Sequence, residues 1–215
     1  MTNDQADFRC RPQLRWWQCD RKTLLLAMFI TAAAFGWLSV MVALTQGQRQ
    51  AVAEIEKLGG QVYYDFQWDE DGQWAGRMEP SWLRKLFGNV RAVLGNATEI
   101  TDDSLMHFSR LTMLETLDLT NTHITGSGFQ HIQGLDSLKS IYLGNTNTND
   151  AGLEHLKRLS SLKHIILSDT PITDVGLEHL ARLVQLQSLR IQGTNTSTAG
   201  VNKLRKALPN CQIVR

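Results

Sequence analysis

The chain has 215 residues, with 22 Lys and Arg against 21 Asp and Glu. That length suits one ordinary domain plus an appendage, and a net charge of +1 gives no electrostatic footprint of a nucleic-acid partner. Three cysteines, Cys10, Cys19 and Cys211, are too few for a disulfide framework.

The first strong signal is apolar. Thr23–Leu44, TLLLAMFITAAAFGWLSVMVAL, runs 22 residues without a charge. As a helix it would be about 33 Å long, against roughly 30 Å of bilayer hydrocarbon. A cleaved signal peptide and a buried soluble helix are the rival readings. A signal peptide has an apolar core of about 7–15 residues followed by a small-x-small site. This run is longer, and VALTQGQ is a poor cleavage site. The expectation is an uncleaved transmembrane helix over 23–44.

Flanking charge orients it. Arg9, Arg11, Arg15, Arg21 and Lys22 precede the run, whereas Arg49 and Lys57 after it are offset by Glu54 and Glu56. The positive-inside rule then makes 1–22 a cytoplasmic tail and puts everything after Leu44 outside the cytoplasm. The expected location is the plasma (inner) membrane, single-pass. Cys211 would then have no internal partner. Trp16 and Trp17 would suit the cytoplasmic interface, or belong to a disordered tail. Ala32 and Gly36 have the small-xxx-small spacing that lets two spanning helices approach as a weak homodimer, although Ala-rich spans often hold such pairs without one.

Residues 45–99 read as a juxtamembrane helix and an N-terminal cap with a degenerate first repeat. QRQAVAEIEKL (48–58) predicts a short helix stopped by Gly59-Gly60. QVYYDF (61–66) has strand composition. QWDEDGQWAG follows as a solvated turn. Asp69, Glu70 and Asp71 in it lack the spaced ligands and distal Glu of a calcium loop. SWLRKLFG (81–88) predicts a second short helix. In VRAVLGNAT (90–98), Val90, Val93 and Thr98 take the positions that strand leucines and a turn Thr hold further on.

From residue 100 the chain repeats. Units 100–123, 124–147, 148–171 and 172–195 each have 24 residues with no insertion, and a shortened fifth unit, TSTAGVNKLRKALPNCQIVR, ends the chain. Periods of about 20–50 residues signal a solenoid. Each unit opens on a candidate helix cap, Thr101, Thr125, Asn149 or Thr173. Asp102, Asp150 and Asp174 follow, where a helix dipole favours negative charge. Apolar residues then recur three apart, as in Leu153, Leu156 and Leu159, which keeps them on one helix face. The second half reads Leu-x-x-Leu-x-Leu, as in Leu114, Leu117 and Leu119, a short strand with one buried face. A lone unit buries too little to order itself, so units must stack. The expected fold class is α/β: parallel strands on a concave face, helices on the convex side. The register of the last strand, around Cys211 and Ile213, stays ambiguous.

Leu-x-x-Leu-x-Leu-x-x-Thr, with Ile-Thr-Asp-x-Gly-Leu opening the next unit, resembles the leucine-rich repeat family over 100–215. The layout is similar to short membrane-anchored bacterial members with Thr-type repeats. The family's usual turn Asn is replaced by Thr122, Thr146, Thr170 and Thr194. Their hydroxyls are expected to bond backbone between turns as a ladder. The resemblance implies a solenoid and is nearly silent about the ligand.

No catalytic constellation appears: there is no Gly-x-Ser-x-Gly, phosphate-binding Gly loop, paired-Cys metal signature or His-Glu-x-x-His. The nearest candidate is a column of His107, His131, His155 and His179, one per unit. By 100° steps Glu154 points to solvent and His155 sits at the edge of the apolar stripe. Zinc needs imidazole nitrogens at about 2.0–2.1 Å, and the column offers no third convergent ligand. No metal, cofactor or catalytic residue is assigned.

The concave face is the better place to look. Between the leucines, side chains form three ladders: Asp118, Tyr142, Ile166 and Arg190; Thr116, Ser140, His164 and Ser188; Thr120, Gly144, Ser168 and Gln192. Asp118, Tyr142, His164, Ile166 and Arg190 are the candidate partner-binding residues, because Tyr and Arg are frequent anchors. The expected function is a non-enzymatic membrane-anchored interaction module with a protein or surface-polymer partner and no nucleic acid. A structural envelope protein with no discrete ligand is the alternative, and an enzyme or metal-binding protein is a more distant one.

Overall fold

A computed structural model describes residues 31, 32, 35, 36, 46–64 and 89–215. The chain divides into two compact units, Met1–Ala43 and Leu44–Arg215. In the first, Thr31, Ala32, Phe35 and Gly36 are helical and exposed. The rest of the predicted span lies outside the described residues, as do the acidic turn and the 81–88 helix. Among the described residues no helix is long and apolar enough to cross a membrane.

The second unit is built on one sheet of seven strands in sequence order: β1 (Gln61–Tyr64), β2 (Val90–Leu94), β3 (Thr116–Asp118), β4 (Ser140–Tyr142), β5 (His164–Ile166), β6 (Ser188–Arg190) and β7 (Gln212–Val214). From β2 to β7 neighbours are parallel and each partner is 24 residues away, as in Leu117↔Ile141 and Ile165↔Leu189. The sequence period is thus the sheet register. Ile213 pairs with Leu189 and is buried, which resolves the ambiguous last strand. Val93 pairs with Leu117, so 90–98 occupies a repeat position ahead of the first full unit.

Strand β1 runs antiparallel to β2 and covers that end of the sheet. An α-helix over 46–57, α1, precedes it and buries Ala51, Val52 and Ile55. It stops where Gly59 takes φ 87°. There the Gly60 N–H donates to the Ile55 carbonyl at 2.9 Å and Gly59 to Glu56 at 3.1 Å, a closure that requires a left-handed residue.

The convex side is helical in two ways. In the later units it holds α2 (Asp150–Leu156), α3 (Asp174–Leu180) and α4 (Thr198–Ala207), capped by the side chains of Asn149, Thr173 and Ser197. In the first two units it holds 3-10 segments instead, Asp103–Arg110 and Ser127–His131, without side-chain caps. Local competition explains the difference. The Ser104 hydroxyl accepts from Thr101 N–H at 2.9 Å and donates to the Thr101 carbonyl at 2.7 Å, which diverts the first turn from helix bonding. Gly126, with φ 95°, stands where later units have a helical Asp. The apolar spacing is kept in both forms, and Leu105, Phe108, Phe129, Leu153, Leu156 and Leu159 are all fully buried.

Units are tied at their helix entries by a bond that the helix-dipole argument misses. Asp150 accepts from the Thr173 N–H at 2.8 Å and from its hydroxyl at 2.6 Å. Asp174 holds Ser197 in the same way, at 2.7 and 2.5 Å. Asp102 accepts from Thr125 N–H and hydroxyl and from the N–H groups of Gly126 and Gly128. Each acidic residue therefore bonds the opening of the next unit. The glycine of that next unit makes room: a Cβ on Gly176 or Gly200 would collide with the Asp150 or Asp174 carboxylate.

The turn threonines act differently from expectation. Thr122, Thr146, Thr170 and Thr194 donate to the carbonyls of Leu119, Leu143, Leu167 and Ile191 at 2.7–2.8 Å. These bonds close each unit's own turn and do not run between units. The hydroxyl is too short to reach the next turn once it has met the carbonyl three residues back. Thr98 does the same to Gly95 at 2.6 Å.

Candidate binding face of the solenoid

Alternation along each strand separates core from surface. Leu117, Ile141, Ile165 and Leu189 point inward and are at most 1% exposed. Their neighbours point outward onto the concave face. Register places Asp118 beside Tyr142, Tyr142 beside Ile166, and Ile166 beside Arg190. The second ladder sets His164 between Ser140 and Ser188. Strand neighbours lie about 4.8 Å apart, so the candidate residues form one continuous patch.

The patch is part fixed, part free. The Asp118 carboxylate accepts from the Thr120 N–H at 2.9 Å, so its orientation is set. Ser140 is buried between larger neighbours. Ser168 Oγ donates to Gln192 Oε1 at 3.4 Å. The Tyr142 hydroxyl, the His164 ring and the Arg190 guanidinium have no hydrogen bond or ion pair among the described residues, and Arg190 is exposed. Such groups can bind a ligand without first breaking an internal bond.

A polar groove borders the patch at the carboxyl ends of the strands. Its volume is about 580 Å³, and Asn121, His123, Asn145, Asn147, Asp169 and Asn195 help to line it. Asn145 Nδ2 donates to Asn121 Oδ1 at 2.8 Å across two units. The Leu-x-x-Leu-x-Leu pattern is silent on this row. The available signal was the position before each turn Thr, where Asn121, Asn145, Asp169 and Gly193 all tolerate the left-handed backbone they adopt.

The histidine column stays apart from this surface. His107, His155 and His179 are half-buried and His131 is exposed. His155 Nδ1 lies 2.8 Å from the Gln133 amide nitrogen. Glu154 faces solvent and pairs with Lys157 at 2.8 Å, which holds its carboxyl below the usual range. Glu178 pairs with Lys203 of the next unit at 2.6 Å. Among the described residues no three His, Cys, Asp or Glu side chains converge as metal ligands.

Residues 136–195 match a leucine-rich repeat family model, and residues 110–130 match a second one. These repeats belong to the leucine-rich repeat family. No curated protein matches the chain. Among solved structures it is similar to a leucine-rich repeat protein of Leptospira interrogans, at 18% identity and a TM-score of 0.39. The similarity covers 51% of this chain and 33% of that one, so the chain spans about a third of its length. In these leucine-rich repeats the turn Thr closes the corner from within the unit, and Asp102, Asp150 and Asp174 add a side-chain bond to the opening of the next unit.

Proposed function

We propose that the chain is a single-pass membrane-anchored interaction module. It meets a protein or surface-polymer partner through the concave face of its leucine-rich repeats, outside the cytoplasm, and catalyses no reaction. Leucine-rich repeats generally serve as protein-interaction modules. The observation that carries the reading is a contrast within each strand. The inward ladder repeats one apolar type, whereas the outward ladder changes from Asp118 to Tyr142 to Ile166 to Arg190 in the same register. The core needs the first; nothing in the fold needs the second. Tyr142 and Arg190 supply the large, hydrogen-bonding anchors that dominate binding energy.

The anchor rests on the uncharged run at 23–44 and on the basic residues before it. A weak homodimer through Ala32 and Gly36 would follow from close helix approach.

Two experiments test the reading. Replacing Tyr142 and Arg190 together with Ala should reduce partner recovery from native membranes by about tenfold or more, as for two anchor residues. Unchanged recovery would contradict the concave face. An alkaline phosphatase domain fused after Arg215 should be active in cells, and an inactive fusion would contradict the orientation.

A further inference from the structure

The near-zero net charge conceals an asymmetry. Residues 100–138 hold one Lys or Arg against five Asp and Glu, whereas residues 139–215 hold ten against five. Internal pairing absorbs part of the basic surplus. Lys139 pairs with Glu115 at 2.9 Å, Lys157 with Glu154 at 2.8 Å and Lys203 with Glu178 at 2.6 Å. Arg215 donates to Thr198 and Thr196, and Arg205 to the Ile213 carbonyl. Two of the acids are committed elsewhere, since Asp150 and Asp174 hold the next unit's cap. The side chains of Arg158, Lys163, Arg182, Arg190 and Lys206 make no ion pair or hydrogen bond among the described residues; Arg190 belongs to the concave face, which leaves the other four. All but half-buried Lys163 are exposed.

The period aligns these cations. Arg158, Arg182 and Lys206 are each 24 residues apart; Arg158 and Arg182 follow α2 and α3, and Lys206 lies in the last turn of α4. Lys139 and Lys163 are also 24 apart, immediately before their strands. Both columns lie on the edge where the chain turns from the convex to the concave side. Between them is a depression of about 490 Å³ lined by Lys139, Ser160, Ser161, Lys163 and Arg182, with Val184 and Gln185. Three successive units contribute, and no carboxylate lines it.

From this we infer that the edge is a second binding surface, distinct from the concave face, for a linear polymer bearing phosphate groups. Arg, Lys and Ser hydroxyls supply donors suited to a group with several acceptor oxygens. One exposed ion pair is worth little, so a single anion gains little here. A polymer with repeated charges meets one cation per stacked unit. An acidic peptide fits less well. Peptide affinity rests on apolar or aromatic anchors seated in pockets, and the one apolar residue at the depression, Val184, is 75% exposed.

The test uses the full chain in detergent micelles, with long-chain inorganic polyphosphate as the probe. Affinity should fall on the order of fiftyfold between about 50 and 200 mM NaCl, as expected for about four displaced counterions. The Arg158→Glu, Lys163→Glu, Arg182→Glu triple variant should bind about tenfold more weakly or worse. Arg182→Gln alone, at an exposed position with no partner to lose, should weaken binding about threefold. Arg158→Lys with Arg182→Lys should retain binding within about twofold, because the charge is kept. Tyr142→Ala should leave it unchanged, which separates this surface from the concave one. The proposal is overturned if the folded triple variant, or Arg182→Gln, binds polyphosphate as the unaltered chain does. It is also overturned if poly-L-glutamate binds about tenfold more tightly than polyphosphate, which would assign the edge to an acidic peptide.

Discussion

Five residues, each 24 apart, hold a left-handed backbone at the corners after β2 to β6: Ala97, Asn121, Asn145, Asp169 and Gly193, with φ between 53° and 68°. Asn, Asp and Gly accept that conformation readily, while Ala pays a steric cost of about 1–2 kcal/mol. Ala97→Asn should therefore stabilise the protein by about 1 kcal/mol, read as a raised urea midpoint. The Asp and Gly at each helix entry form the opposite case, a fit with no slack. Gly176→Ala drives a methyl group against Asp150 and should cost about 1–3 kcal/mol by overpacking. The same acids set a pH dependence. Burial opposes ionisation of Asp102, but the N–H groups of Gly128, Thr125 and Gly126 and the Thr125 hydroxyl outweigh it and hold the carboxyl below its ordinary value. The Ser197 hydroxyl and N–H do the same for Asp174. A folded value below the unfolded one gives stability that is full above the ordinary carboxylate pKa of about 3.9 and is lost as pH falls through the folded value. Melting temperature should fall on acidification below about pH 4, and the fall should be shallower in Asp102→Asn. An unchanged slope in that variant would refute the assignment to Asp102.

At the level of elements, the sequence carried period, strand positions and register. The Leu-x-x-Leu-x-Leu spacing states which side chains are buried, and the 24-residue interval states which of them become neighbours. Helix type was not legible, because residues three apart stay on one face in both an α-helix and a 3-10 segment. What separates them is Ser104 bonding Thr101 and Gly126 replacing a helical Asp, features outside the apolar pattern. The antiparallel direction of β1 was hidden for a related reason: strand composition has no direction. Backbone bonds in 3-10 segments have poorer geometry. Amides of Ser127–His131 should thus exchange with solvent faster than those of Asp150–Leu156, measured by hydrogen exchange at peptide resolution. Equal protection would mean that stacking, not local bonding, governs opening.

Across the whole molecule, regularity and irregularity fall on different surfaces. The core ladder, the turn threonines and the Asp-to-cap bonds repeat because each unit must fit its neighbours. The concave ladder does not repeat, whereas the edge repeats a cation at Arg158, Arg182 and Lys206. The ladder's membership could be read from the sequence, since the period fixes it. The polar corner groove was signalled only by the residue before each turn Thr, and the basic edge only by the spacing of its cations, which a net charge of +1 averages away. The central claim is that recognition occurs on the concave face and not on the helical one. It is tested most directly by placing a photo-crosslinking side chain at position 142 in one variant and at exposed position 154 in another, with irradiation in native membranes. The account predicts a discrete crosslinked product from position 142, lost when Arg190→Ala is added, and none from position 154. The same product from both positions, or a product from 154 alone, would contradict it.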